Sequence, residues 1–222
     1  MNHETHHIED PSLARIGAFS DGVFAFAITL LILGIHIPQP TDPDAGHGLL
    51  NLLTVQWRSY LAYVVSFMFI GINWANHRVM FQTFARANHT LIWMNLLYLM
   101  CLAFLPVPTA VLGNWMGSPD NQVVAAVFYG VSATVGGLVY NLLWWYAAYV
   151  GKLTLPSLSA KQIRAHTVAW APAPFVATAL TGIAFVYPQL AMVGFVAIIF
   201  VYILPIPRLV ALKQQRRHKN SI

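Results

Sequence analysis

The 222 residues are 58% hydrophobic and only 9% charged, with a mean hydropathy of +0.61 and a formal net charge of +5. Soluble domains carry roughly 25% charged residues, so this composition excludes an ordinary soluble enzyme and predicts an all-α integral membrane protein. One cysteine, Cys101, rules out a disulfide framework within the chain.

The chain opens on "MNHETHHIEDPSLAR", which lacks a basic n-region, and the first apolar run lacks a small-residue cleavage site. That run is therefore predicted to be a retained span and not a signal peptide. Apolar runs long enough to cross a bilayer lie near 14–37, 53–80, 91–113, 122–150, 167–187 and 190–211. The breaks are "IPQPTDPDAGHG", "ARANH", "GNWMGSPDN" and "GKLTLPSLSAKQIR"; the weakest is "VYPQLA", whose loss would leave five spans. The reading is a polar tail over 1–13, a six-helix transmembrane domain over 14–211 and a basic tail over 212–222.

Charge orients the bundle. Arg15, Arg78, Arg86, Lys152, Lys161 and Arg164 fall near one set of span ends, with Arg208, Lys213, Arg216, Arg217 and Lys219. The opposite ends carry Asp42, Asp44 and Asp120, with Arg58 as their basic residue. This is the positive-inside pattern and predicts both termini in the cytoplasm. The tail "KQQRRHKN" is expected against anionic lipid or solvent, and the net positive charge speaks for topology and against nucleic acid.

Span one begins "RIGAFSDGVFAFAITLLIL". Arg15 and Asp21 are about 120° apart around a helix and ~9 Å apart along it, so each needs a partner from another segment. Span two returns to the same depth with "GINWANHRVMF", which lets Asn73, Trp74, Asn76 and His77 meet Ser20 and Asp21. Charges within spans face the bundle interior and find partners. Asp21 is therefore expected to accept from Trp74 or His77, with a lock between the two spans favoured over a role in ion binding or proton relay.

These residues also carry a resemblance. Arg15-x-x-x-Phe19-Ser20-Asp21 with Phe24 following, "NWANH" at 73–77 and the proline-bearing "FLPVPTAVL" resemble the signature of the transmembrane protein 175 family of potassium channels. The resemblance implies a homotetramer of single six-span units in a bacterial cell membrane, potassium ions as the permeant species, and a pore lined by span one. It also implies a hydrophobic filter in place of aligned carbonyls, with a bulky aliphatic layer five residues past the aspartate. That position is Phe26, where the family usually has isoleucine or leucine.

The helix spacing is compatible with such a pore. Phe26, Thr29, Leu30 and Leu33 fall at i, i+3, i+4 and i+7, one narrow stripe, although apolar stripes on membrane helices are more often packed or lipid-facing. The polar group of Arg15, Phe19, Ser20, Asp21, Asn73, Trp74 and His77 would hold the inner ends of spans one and two. The rival readings are a proton-coupled transporter or proton leak using Asp21 and His77, and a non-conducting scaffold.

Other signals carry less. "TVGG" at 134–137 lies inside a continuous apolar run, where small residues serve helix packing better than a carbonyl filter. His3, His6 and His7 sit in a polar terminal segment, where a disordered tail is the simpler reading than a metal site. His36 and His47 lie near the outer mouth, where histidine could sense pH. Pro172, Pro174, Pro205 and Pro207 predict kinks or helix ends. No His-Glu-x-x-His, Gly-x-Ser-x-Gly or P-loop is present, so no enzyme, cofactor or metal is expected.

Overall fold

A computed structural model describes residues 11–203, with side-chain environments to residue 199. The N-terminal histidines, Pro205, Pro207, the basic tail and the end of the run 190–211 lie outside the described residues. The described chain is helical throughout: α1 (Pro11–Leu30), α2 (Leu49–Val55), α3 (Trp57–Phe81), α4 (His89–Phe104), α5 (Pro106–Trp115), α6 (Gln122–Trp145), α7 (Ala160–Trp170), α8 (Pro172–Ala184) and α9 (Pro188–Ile203). A 3₁₀ turn over Leu31–Gly34 extends α1, and a π turn over Tyr146–Val150 extends α6.

Four continuous helical runs are long and apolar enough to cross a membrane: Pro11–Gly34, His89–Trp115, Gln122–Val150 and Ala160–Ala184. Two of them are interrupted at a proline. Pro106 has no N–H, and Leu105 closes a tight turn onto Leu102 before α5 starts afresh; Pro172 opens α8 after Ala171 N has made a regular helical bond to Thr167 O (2.9 Å).

The fifth predicted span was placed at 167–187, yet its helix begins at Ala160. Ser159 and Gln162 form a reciprocal cap: Gln162 N donates to Ser159 Oγ (3.3 Å) and Ser159 N to Gln162 Oε1 (2.9 Å). Hydropathy reads the polar first turns of α7, with Lys161 and Arg164, as loop; the cap makes them helix.

Packing rests on small residues and close approach. The most extensive contact is α6 against α8, where Gly130 lies directly against the Thr181 side chain and Gly137 faces Pro174. Gly113 of α5 sits so near α3 that a Cβ there would meet Ser59 Cα at 2.9 Å. The "TVGG" run is interior to α6, as a packing reading requires. At one end of the bundle the connectors after α3 and α6 are tied together: Ala85 N donates to Leu153 O (2.8 Å) and Leu155 N to Thr83 O (2.9 Å). α1 lies against α3 and α4, burying Ser20, Phe24, Ala27 and Leu31 at spacings of four, three and four.

Candidate functional site

The buried face of α1 leads into a polar layer. Ser20, His77 and Asn95 are 0%, 2% and 1% exposed, and hydrogen bonds join them in a line. The Ser20 hydroxyl donates to Ile16 O (2.8 Å) and accepts from Asn95 Nδ2 (3.0 Å). Asn95 thereby turns Oδ1 toward His77 Nε2, 2.8 Å away, and a carbonyl oxygen can only accept. The network therefore assigns the proton to Nε2 of His77.

The imidazole is enclosed by aromatic rings. Phe81 stacks at 4.3 Å between centroids and Tyr98 at 5.8 Å, with Phe24 of α1 tilted against it at 5.3 Å. Tyr98 donates to Asn73 Oδ1 (3.1 Å), and Asn73 Nδ2 donates to Phe69 O within α3 (2.8 Å).

Asp21 is in a separate arrangement. Its Oδ1 accepts from Trp74 Nε1 at 2.8 Å, at an exposed seam between α1 and α3. Of the two donors expected for it, Trp74 makes this bond, while His77 turns inward to Asn95. Arg15 and Phe19 are exposed, and Arg15 makes no ion pair among the described residues. So the predicted group divides in two: Asp21 with Trp74 at the seam, and Ser20 with His77 in the interior, Asn73 being tied to Tyr98.

Asn95 and Tyr98 of α4 were absent from the sequence reading. Their signal was available, since Asn95 is the one amide in the apolar "HTLIWMNLLYLMCLAF". What it lacked was a way to tell which of three helices would face it.

The opposite face of α1 is uncovered. Arg15, Phe19, Gly22, Phe26, Thr29 and Leu33 are all exposed, at spacings of four, three, four, three and four. Phe26 is 63% and Leu33 77% exposed, whereas Leu30 is half-buried at the margin of the stripe. The Thr29 hydroxyl donates to Phe26 O (2.8 Å), which leaves its oxygen lone pairs facing outward.

Beyond the end of this helix the chain turns on an ion pair. His36 Nε2 lies 2.9 Å from Asp42 Oδ2, which also accepts from Gln39 N at 2.9 Å. The Gln39 N–H, and then His36, hold the Asp42 carboxyl below the usual carboxylate range. No group of three or more histidine, cysteine or acidic side chains is placed to hold a metal among the described residues.

The profile of the family described as the endosomal/lysosomal potassium channel TMEM175 matches residues 15–106, from the arginine that opens the α1 stripe through the α4 polar layer. A Streptomyces collinus protein named as a potassium channel is 41% identical over 178 residues, covering 80% of this chain and 85% of its own. The crystal structure of a Chamaesiphon minutus protein, described as a lysosomal potassium-selective channel TMEM175 homolog, superposes with a TM-score of 0.79. It is 33% identical and matches 88% of this chain and 98% of its own. A Gallus gallus protein named as an endosomal/lysosomal proton channel TMEM175 is 30% identical over 67% of this chain and 31% of its own length. With this identity over most of both chains and a shared helical framework, the chain belongs to the TMEM175 family.

Proposed function

We propose that the chain forms a homotetrameric potassium-selective cation channel whose pore is lined by α1. The observation that carries this reading is the uncovered stripe of α1. One face of the helix is packed against α3 and α4, and the other meets nothing in the protomer over five helical steps. Left to lipid, that face would put the Thr29 hydroxyl beside hydrocarbon and leave Arg15 at its end without a partner among the described residues, both at a cost. Four copies around an axis would hydrate these groups and stack rings of phenyl, hydroxyl and aliphatic side chains.

In this arrangement the six spans are Pro11–Gly34, α3, α4 with α5, α6, α7 with α8, and α9. At 25 residues α3 is ~37 Å long, enough to cross. Both termini are cytoplasmic, because Arg78, Arg86, Lys152, Lys161 and Arg164 crowd one end and Asp42, Asp44 and Asp120 the other. Residues 14–211 form the channel domain between two polar tails, in a bacterial cell membrane.

Phe26, Thr29 and Leu33 supply the constriction, with Leu30 behind them. Such a pore passes the ion that dehydrates at lower cost, and potassium is larger and more weakly hydrated than sodium; the Thr29 lone pairs replace part of its lost water. Asp21 with Trp74, and Ser20 with Asn95 and His77, set the angle of α1. Potassium and sodium flux into liposomes, with Phe26→Ala and Thr29→Val variants, tests this. Potassium in excess of sodium, with Phe26→Ala raising rate or relaxing preference, supports it. No flux from folded tetramers in wild type and variant alike would make the stripe a packing seam.

A second reading rests on Asp21 and the buried His77, two groups able to take up and release a proton near the inner end of α1, and on the proton-channel name of the animal relative. Flux that tracks a pH gradient, and that His77→Phe abolishes, would favour it.

A further inference from the structure

A cavity of about 440 Å³ opens between α3, α4, α6, α8 and α9, within the size range of small-molecule sites. No residue of α1 lines it, so it is separate from the proposed pore. Its amides gather toward one end. On α3 the lining passes from Phe69 to Asn73 and Asn76, and on α6 from Ser132, whose hydroxyl donates to Phe128 O, and Ala133 to Asn141; Tyr98 of α4 lies toward the same end. Phe69 to Asn76 is ~10 Å of helix rise and Ala133 to Asn141 ~12 Å. Because α3 and α6 run together and α4 against them, the three amides lie toward the end that bears Arg78, Arg86 and Lys152, and the apolar floor lies deeper.

Two features say what would fill it. The lining contains no Asp, Glu, Lys, Arg or His, so a charged group entering it would be buried without a counter-charge. The amides nonetheless have capacity to spare. Asn141 Nδ2 donates to Gly137 O (2.9 Å) and Trp170 O (3.3 Å), which leaves Oδ1 to accept. Asn76, partly buried one turn before the end of α3, has no hydrogen bond among the described residues and is free to meet a head group. A neutral hydroxyl head beside Asn76 and Asn141, with one acyl tail running inward past Phe69 toward Phe195, matches both ends.

We infer that this cavity is a binding site for an uncharged, single-chain amphiphile of the bilayer leaflet at the basic end, of the monoacylglycerol class. The wall nearest α1 is Tyr98, whose hydroxyl holds Asn73 and whose ring stacks on His77. The site therefore adjoins the polar layer, and its occupancy does not depend on ion conduction.

Cys101, the single cysteine of the chain, lines the cavity and reports on it without mutation. The full chain in phosphatidylcholine liposomes is labelled with N-ethylmaleimide, and the labelled fraction is followed by mass spectrometry. Monoolein at about ten times its dissociation constant should slow labelling about tenfold, since only the empty fraction reacts. An alkane of equal chain length should slow it far less, and Asn76→Leu should erase the difference. Gly136→Leu is the filling control: a Cβ there meets only Cys101 Cβ, at 3.9 Å, so the side chain grows into open space.

Equal labelling with and without monoolein, in protein that Gly136→Leu does protect, would show a cavity holding water or bulk lipid only. Equal protection by alkane and monoolein would remove the hydroxyl recognition, and labelling only after denaturation would show that no cavity is accessible. Each of these overturns the inference.

Discussion

Replacing Asn95 by leucine tests whether the interior line of hydrogen bonds holds α1, α3 and α4 together. Leucine keeps the branched heavy-atom skeleton of asparagine and removes both polar atoms. Asn95→Leu removes the 3.0 Å bond to Ser20 and the 2.8 Å bond to His77. Hydrogen bonds between membrane helices average about 0.6 kcal/mol and reach about 1.7, so two contribute about 1–3 kcal/mol. The His77 N–H is then left facing an aliphatic group, enclosed by the rings of Phe81, Tyr98 and Phe24. A stranded buried donor adds about 1–3 kcal/mol, which places the expected loss at about 2–6 kcal/mol. The assay is reversible unfolding in mixed micelles, scored by SDS mole fraction at the midpoint. The decisive comparison is a cycle with His77→Phe, which keeps the stacked ring and removes the N–H. Apolar groups on both sides leave nothing stranded, so the double variant should be at least about 1 kcal/mol more stable than the sum of the single losses. Additivity within about 0.3–0.5 kcal/mol would refute the network as a coupled unit.

Trp74→Phe should cost about 1 kcal/mol in the same unfolding assay by stranding Asp21, whereas Asp21→Asn keeps an Oδ1 acceptor for Trp74 and should cost less; the reverse order would remove the 2.8 Å bond from the account. Gly113→Ala drives a Cβ into Ser59 Cα at 2.9 Å and should destabilise by about 1–3 kcal/mol, while Gly22→Ala, with nothing within 4 Å, should be close to neutral by the same assay. The Asp42 carboxyl titrates below its ordinary 3.8. A depressed carboxylate pKa stabilises the folded turn above the unfolded value, and the gain is lost as pH falls through the folded one. The Gln39–Asp42 turn should therefore hold at neutral pH and loosen only under strong acid. In carboxyl-carbon NMR, His36→Ala should raise the Asp42 midpoint but leave it below the ordinary value, because the Gln39 N–H is the larger cause; a midpoint unmoved by His36→Ala would show that the ion pair is not formed.

Much of the site is legible before any coordinate is seen. Asp21 inside an apolar run demands a partner, and span two returning to the same depth offers Trp74 and His77. That argument needs only helix rise and the cost of charge in hydrocarbon. Which donor reaches Asp21 is a different matter. Trp74 and His77 are three residues apart, and a rotation of α3 by a fraction of a turn exchanges them. The rotation is set by α4, where Asn95 claims His77 and Tyr98 claims Asn73, and nothing near residue 21 encodes that choice. The start of α7 was missed for a local reason: hydropathy is blind to a polar helix, while the Ser159 and Gln162 cap that makes one is a four-residue pattern.

Composition and the order of apolar runs, turn signals and charges are properties of the chain in one dimension. They determined the all-helical membrane class, because bilayer solvation acts on each segment independently. Tertiary structure alone decided how the polar residues partition into a seam pair and an interior line. It also opened a cavity behind them. Both depend on the relative rotation of several helices, set by the α4 partners of His77 and Asn73 on one side and by the close contacts at Gly113, Gly130 and Gly137 on the other. Such contacts involve residues from distant parts of the chain at once, so no single segment carries them.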